Sequence, residues 1–185
     1  MMNNDTFTIP DNRNIADKYK WWEMTTIVED LDQTRSELVN VFVNLSHDMN
    51  LGSGVRNSNW FNTQQVRIAG RKKWDRRGAV GTHVYTGIQH HTTVEEAISA
   101  LRADGYRIVA AEIDEKAVPL PSYEWDSRSA IIYGEEGLGL SQEALDMCDD
   151  IVYIPGRGSV RSLNVATTSG IFMYDYTMKV GLLDD

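Results

Sequence analysis

Short apolar runs alternate with polar, helix-like stretches along most of this chain. The apolar runs are rich in β-branched residues and predict buried strands at residues 39–45, 65–69, 107–113, 130–133 and 151–154. Helical patterns between them lie at residues 53–61, from Thr92 or Thr93 to Ala103, and after Ser141, with these hydroxyls as N-caps. No tight hairpin signal separates the strands, so the sequence predicts an α/β fold with a mainly parallel sheet flanked by helices.

Two further helical patterns lie near the ends of the chain. Residues 15–30 fit a helix that Trp21 and Trp22 would pack onto the body, within a partly helical N-terminal extension at residues 1–36. The last helix carries apolar residues on several sides and one apolar stripe, formed by Leu163, Ala166, Gly170, Ile171, Tyr174 and Met178. A helix that is apolar around most of its circumference needs wide burial, and a dimer interface is one way to supply it.

The length and composition fit one domain with a terminal extension. The chain has 185 residues, of which 42% are hydrophobic, enough to form a core. No apolar run approaches the ~18 residues of a membrane-spanning helix, and the N-terminal residues lack the apolar segment of a signal peptide. Cys148 is the one cysteine, so no intrachain disulfide can form. These features predict a cytoplasmic protein without a membrane partner.

The charge is unevenly distributed. A net charge of −9 argues against broad affinity for nucleic acid, which needs a basic surface. One segment at residues 67–77 is nevertheless strongly basic and contains Arg71, Lys72, Lys73, Arg76 and Arg77. Such a segment can bind a polyanion on one face of an acidic molecule, with Trp74 available to stack on a base. A solvated basic loop is the alternative. The histidines form no metal-ligand pattern, so no metal is expected.

A glycine-rich turn, GEEGLG, follows the strand at residues 130–133. Its spacing differs from the dinucleotide fingerprint, and Glu135 and Glu136 would repel a pyrophosphate. They would tolerate a cation such as the sulfonium of S-adenosylmethionine. A tight turn with solvated glutamates is the alternative.

Two other segments could bind a ligand. In NLGSGVR, at residues 50–56, we expect Asn50 to shape a turn and Arg56 to point into a crevice from the first turn of a helix, where its guanidinium suits a phosphate or an oxyanion. A surface ion pair is the alternative for Arg56. In GRGSVRSLN, at residues 156–164, Ser162 is the expected N-cap of a helix whose N-terminus favours anionic groups.

The ordered segments NLGSGVRNS, IIYGEEGLGLS, DIVYIP and SLNVATTSG resemble the three motifs of the SpoU/TrmH family of SPOUT RNA 2′-O-ribose methyltransferases, over residues 39–178. The resemblance implies that residues 37–185 form a SPOUT domain with a deep C-terminal trefoil knot. It also implies bound S-adenosylmethionine, with S-adenosylhomocysteine as product, and a homodimer formed through helices that include the last one.

The motif matches assign roles to individual residues. They imply that the catalytic residues are Asn50, Arg56, Glu136 and Asn164. They imply a cofactor site formed by Gly134, Glu135, Gly139, Ile154, Ser162 and Leu163. The expected RNA contacts are Arg71, Lys72, Lys73, Arg76, Arg77 and Arg161. Two positions depart from the family pattern: Gly54 stands where isoleucine is usual, and Asn57 where threonine is usual.

The expected activity is methyl transfer from S-adenosylmethionine to a ribose 2′-hydroxyl of tRNA or rRNA. A catalytically idle SPOUT-fold protein that binds RNA or assists assembly is the first alternative. A nucleotide-binding α/β protein without methyl transfer is the second.

Overall fold

One sheet organises the computed structural model, which describes residues 11–44, 49–135 and 137–183. Within those residues the sheet has seven strands, all paired in parallel, in the order β3-β2-β1-β6-β4-β7-β5. The strands are β1 (Ser36–Asn44), β2 (Thr63–Gly70), β3 (Ile88–His91), β4 (Arg107–Ala111), β5 (Val118–Pro119), β6 (Ser129–Tyr133) and β7 (Asp150–Tyr153). The predicted parallel α/β fold is confirmed.

The helices cover both faces of the sheet. They are α1 (Met24–Asp32), α2 (Asn50–Trp60), α3 (Val94–Ala103), α4 (Gln142–Asp146) and α5 (Val165–Lys179). Strand β6 is buried along its whole length, and its side chains alternate between two cores. Ile131 and Tyr133 face the core that includes Phe172 of α5, whereas Ile132 faces the core that includes Ile98 of α3.

The sequence correctly predicted the N-cap residues of two helices. The Thr93 hydroxyl accepts the Glu96 N–H at the start of α3, and the Ser141 hydroxyl accepts the Ala144 N–H at the start of α4. Both caps were predicted, since Ser and Thr side chains satisfy N–H groups that a helix start leaves unpaired. The prediction of Ser162 as the cap of the last helix was wrong. Asn164 caps α5 instead.

The predicted helix at residues 15–30 was also wrong in its bounds. A short 3-10 turn (Asp17–Tyr19) comes first, and α1 begins only at Met24. Trp21 between them has a positive φ of 70° and is 63% exposed, so it does not pack onto the body as expected. Ile27 and Tyr19 attach this segment to Tyr85. Parts of three predicted units lie outside the described residues. These are residues 1–10 of the N-terminal extension, Leu45 of the first strand and residues 184–185 of the domain.

Helix α2 begins at Asn50, three residues before the predicted start, so NLGSGVR is helical rather than a loop. Its glycines serve close packing. A Cβ on Gly52 would lie 2.7 Å from the Asp75 carbonyl oxygen, and one on Gly54 would lie 2.5 Å from the Phe42 ring. That ring is buried and stacks on Tyr133, with 4.8 Å between centroids.

Helix α5 is buried on one side only. Phe172, Met173 and Tyr176 enter the core, while Ile171 and Tyr174 are exposed. Part of the apolar stripe predicted on this helix therefore faces outward. Within the described residues, α5 is the longest helix, and none has both the length and the apolar character needed to cross a bilayer.

We expect Gly54→Ala to lower the free energy of unfolding by ~1–2 kcal/mol, because the added Cβ overlaps the stacked Phe42 ring. Glycine-to-alanine exchange inside a helix normally stabilises by up to ~1 kcal/mol, so the sign of the change is informative. Urea denaturation measures it. In a Phe42→Leu background the same exchange should become neutral or stabilising. A more stable single Gly54→Ala variant would contradict the steric contact.

Candidate functional site

A cavity of about 840 Å³ opens at the carboxyl ends of β4, β6 and β7. All seven strands run in the same direction, so these loops emerge at one edge of the sheet, where ligands bind in open α/β folds. The walls include the end of β4, the loop after β6, the loop after β7, and the first turn of α5. The predicted cofactor residues all line this cavity: Gly134, Glu135, Gly139, Ile154, Ser162 and Leu163.

The turn after β6 folds back tightly on itself. The Gly139 N–H donates to the Glu135 carbonyl oxygen at 2.9 Å. A Cβ on Gly134 would lie 2.5 Å from the carbonyl carbon of Gly139, and Gly137 and Gly139 have positive φ values of 99° and 71°. Larger residues would therefore strain or block this turn. The predicted catalytic Glu136 lies outside the described residues.

Glu112, directly after β4, contacts the turn that follows β6 and holds it in place. The sequence analysis did not identify it as a site residue. One carboxylate oxygen accepts the Leu140 N–H at 3.1 Å, and the other accepts the Ile113 N–H at 3.0 Å. The carboxylate also touches Gly139, where a Cβ would lie 2.6 Å from Oε2. The available signal was an acid directly after an apolar strand at the edge where ligand loops gather.

The cavity combines an acidic site with apolar walls. The Glu135 Oε2 atom is buried and has no hydrogen-bond partner among the residues that the structure describes. An unpaired buried carboxylate oxygen is costly, so this position suits a ligand that carries a positive charge or donates a hydrogen bond. Leu138 and Val160 are largely exposed on the cavity lining and offer apolar surface to a ring. These residues fit a compact, cationic, partly aromatic ligand.

Two predicted catalytic residues bind each other. Asn164 donates from Nδ2 to Asn50 Oδ1 at 2.9 Å. Its own Oδ1 accepts the N–H groups of Ala166 and Thr167 at 3.0 and 3.2 Å, which caps α5. Asn164 thus joins the start of α5 to the start of α2. These contacts use its side-chain oxygen and one N–H of its amide.

Arg56 occupies a different position from the one expected. Because α2 begins at Asn50, Arg56 lies in its second turn, and it does not line the cavity. Its side chain is exposed and has no hydrogen bond or ion pair to any described residue. An unpaired guanidinium on a rigid helix remains available for a phosphate or an oxyanion.

The predicted RNA-contacting loop is held against α2. The Asn44 side-chain amide donates to the carbonyl oxygens of Arg71 and Lys73 at 2.5 and 3.2 Å. A Cβ on Gly78 would lie 2.8 Å from the Met49 carbonyl oxygen, so the loop contacts the start of α2 backbone to backbone. The basic side chains therefore lie beside the helix that carries Arg56.

The side chains of this loop differ in availability. Five are exposed: Arg71, Lys72, Lys73, Arg76 and Arg77. Arg77 makes a bidentate ion pair with Asp75, with Nε donating to Oδ1 and Nη2 to Oδ2. Trp74 is partly buried, with the His83 ring edge-on at 6.1 Å, so it is not the free stacking platform that was expected. Burial and the charge of Arg76 lower the pKa of His83 and so favour its neutral ring.

No cluster of three or more metal-ligating His, Cys, Asp or Glu side chains is present among the residues that the structure describes.

The sequence relatives of this chain include two curated RNA methyltransferases. The tRNA (guanosine(18)-2′-O)-methyltransferase of Escherichia coli (strain K12) is 31% identical over 97 residues, covering 52% of this chain and 42% of that protein. The 23S rRNA (guanosine-2′-O-)-methyltransferase RlmB of Coxiella burnetii is 31% identical over 131 residues, covering 68% of this chain and 52% of that protein. The chain thus matches about half the length of these relatives.

Solved structures share the fold. The TrmH/SpoU tRNA modifying enzyme of A. aeolicus superposes with a TM-score of 0.76 at 21% identity, covering 86% of this chain and 83% of that one. The SpoU methyltransferase AviRb of Streptomyces viridochromogenes, crystallised with AdoMet, gives a TM-score of 0.67 at 24% identity, covering 83% and 66%. The expected SPOUT-type architecture is confirmed, while the knot stays a prediction.

The sequence profile of the SpoU rRNA Methylase family matches residues 37–174, from β1 into α5. The match includes the cavity, Arg56 and the basic loop. This protein therefore belongs to the SpoU rRNA methylase family.

Proposed function

We propose that the protein is an S-adenosylmethionine-dependent RNA methyltransferase acting on a ribose 2′-hydroxyl of tRNA or rRNA in the cytoplasm. The observation that carries this proposal is the cavity itself. It joins a glycine turn, an unpaired acid and apolar walls at the carboxyl edge of the sheet, in a chain of this family.

The cavity residues fit the cofactor. The turn at residues 134–140 and the loop at residues 154–163 would hold it mainly through backbone groups. Glu135 would face a positive charge or a hydroxyl donor, because its buried oxygen has no other partner. Leu138 and Val160 would cover an apolar ring. When bound, S-adenosylmethionine supplies an electrophilic methyl group, and S-adenosylhomocysteine is the product.

Arg56 would orient the RNA and stabilise the developing negative charge on the ribose oxygen. Arginine has a pKa above ~12, which makes it a poor proton acceptor. We therefore assign proton removal to an RNA phosphate or to water, while the guanidinium donates hydrogen bonds to the phosphate and to the alkoxide. Asn50 and Asn164 hold the starts of α2 and α5 together and so fix the helix that carries Arg56.

The exposed part of α5 supports a homodimer. Ile171, Tyr174 and Met178 recur at helical spacing and all face outward. A second copy of the chain would bury this apolar stripe, as the sequence analysis expected.

Arg56→Ala should lower the rate of methyl transfer by at least ~100-fold, because it removes a donor to the charge that forms on the oxygen. Its affinity for S-adenosylmethionine should remain within ~2-fold, since Arg56 does not line the cavity. Transfer of labelled methyl to unmodified tRNA and rRNA pools measures the first quantity, and calorimetry measures the second.

Arg56→Lys is the matched control, because it keeps the charge and loses the planar donor fork. Alkali-resistant labelled nucleotides in one pool identify the substrate class. Cofactor binding without label in any pool would contradict the proposal and favour a catalytically idle RNA-binding protein. Loss of cofactor binding in a folded Arg56→Ala variant would show that the arginine has a structural role.

Replacing the basic side chains of the loop with glutamine at Lys72, Lys73 and Arg76 should weaken RNA binding and flatten its dependence on salt. Each lost phosphate contact reduces the slope of log K against log salt by ~0.7–0.9. Filter binding between low and physiological salt measures the slope.

The control variant replaces Lys18, Arg102 and Lys116 with glutamine, which changes the net charge by the same amount. These residues lie on other elements and should leave the slope unchanged. Equal slopes for the two triple variants would exclude the loop from the RNA interface.

Tyr174→Glu should convert the dimer into a monomer, because it places a charge in the centre of the exposed apolar stripe. Light scattering coupled to size exclusion should show the mass of one chain in place of two. Gln142→Glu, an exposed change on α4, is the control and should leave the mass unchanged. A monomeric unaltered protein would overturn the proposed dimer.

A further inference from the structure

Asn57 ties the middle of α2 to the first turns of α5. Its Nδ2 atom donates to the Ala166 carbonyl oxygen at 2.8 Å and to the Ser169 hydroxyl at 3.1 Å. Both hydrogens of the amide are therefore used within the protein. The Ser169 hydroxyl itself donates to the same carbonyl at 2.8 Å, and Ser169 is fully buried. The three groups form a closed set of contacts between two helices.

Helix α5 leaves room for this amide. A Cβ on Gly170 would lie 3.3 Å from Asn57 Nδ2 and 3.8 Å from its Cγ. The contact with Nδ2 is tighter than normal packing, so a methyl group at position 170 would push the amide by a few tenths of an ångström. Gly170 therefore leaves space for the Asn57 amide, and the Ser169 hydroxyl oxygen accepts a hydrogen bond from it.

A second asparagine tether lies two turns earlier on α2. Asn50 and Asn57 are seven residues apart and share one face of the helix. Asn50 binds Asn164 at the start of α5, so α2 is held at two points along its length. Two such points fix the rotation of α2 about its own axis as well as its distance from α5.

This rotation determines where Arg56 points. Arg56 precedes Asn57 on the same rigid helix, and the first turns of α5 contribute Val165 and Thr168 to the cavity wall. A guanidinium that leaves α2 in a fixed direction is thereby fixed relative to the cavity. Misplacement of a reacting group by ~1 Å can cost ~100-fold in rate.

We infer that Asn57 is a positioning residue for Arg56, acting through its contacts with Ala166, Ser169 and Gly170. The inference rests on the proposed methyl transfer and assigns a role to a residue that makes no contact with the cavity. It predicts a defect in kcat with cofactor affinity preserved, together with an energetic coupling between positions 57 and 170.

The first test compares Asn57→Ala with Asn59→Ala in the full-length protein. Asn57→Ala should lower kcat for methyl transfer by ~10-fold, with the Kd for S-adenosylmethionine within ~2-fold. Asn59 is the matched control because it lies on the same helix and its Nδ2 atom has no hydrogen-bond partner within the described part of the chain. Asn59→Ala should leave kcat unchanged. Equal loss of kcat in both variants, or unchanged kcat in Asn57→Ala, would overturn the inference.

The second test is a double-mutant cycle with Gly170→Ala. The single Gly170→Ala variant should lower kcat in the same direction as Asn57→Ala, because its Cβ pushes the amide away. In the Asn57→Ala background it should have no further effect, since no amide remains to displace. Additive losses would show that the two residues act independently and would overturn the proposed contact.

Urea denaturation of the same four proteins separates this inference from the proposed function. The effects of Asn57→Ala and Gly170→Ala on the free energy of unfolding should be non-additive whether or not the protein transfers methyl groups. Non-additive stability with no transfer by the unaltered protein would overturn the proposed function, and the positioning role with it, while leaving the helix contact in place. Transfer by the unaltered protein with additive effects on both kcat and stability would overturn the positioning role alone.

Discussion

The direction of the strands is the constraint on which the candidate site depends. In the described part of the chain every strand of the sheet is parallel to its neighbours, so every strand ends at the same edge. Glu112 after β4, the glycine turn after β6 and the loop after β7 can therefore line one cavity although they are separated along the chain. An antiparallel partner in the centre would carry one of these loops to the opposite edge.

The position of α2 is the second feature on which the candidate site depends, and it is set by close contacts with the basic loop, the sheet and α5. Gly52 and Gly78 bring the helix and the basic loop into contact through their backbones, and Gly54 lets the helix approach the Phe42 ring. On its remaining side, α2 is tethered to α5 through asparagine amides. The helix that carries Arg56 is thus fixed by glycines where it must approach closely and by hydrogen bonds where it must be held in place.

The sequence predicted features that depend on local chemistry. The parallel sheet followed from the alternation of apolar runs and helical patterns, and the caps Thr93 and Ser141 followed from side-chain preference at helix starts. The glycine turn that lines the cavity was recognisable because close backbone packing after a strand leaves a glycine pattern in the sequence. Strands β3 and β5 were missed, because they are short edge strands that are only partly buried.

Features that depend on distant contacts could not be read from the sequence. The glycines of α2 suggest a loop on the basis of local sequence. They are glycines because Asp75 and Phe42, which only the folded chain brings near, leave no space for a Cβ. Asn164 rather than Ser162 caps α5, and the same side chain also reaches Asn50, which is distant in the sequence. Phe42 also accounts for the glycine at position 54, because a Cβ there would lie 2.5 Å from its ring. The ring occupies the volume that a larger side chain at position 54 would fill. The sizes of residues 42 and 54 should therefore covary inversely among relatives of this protein.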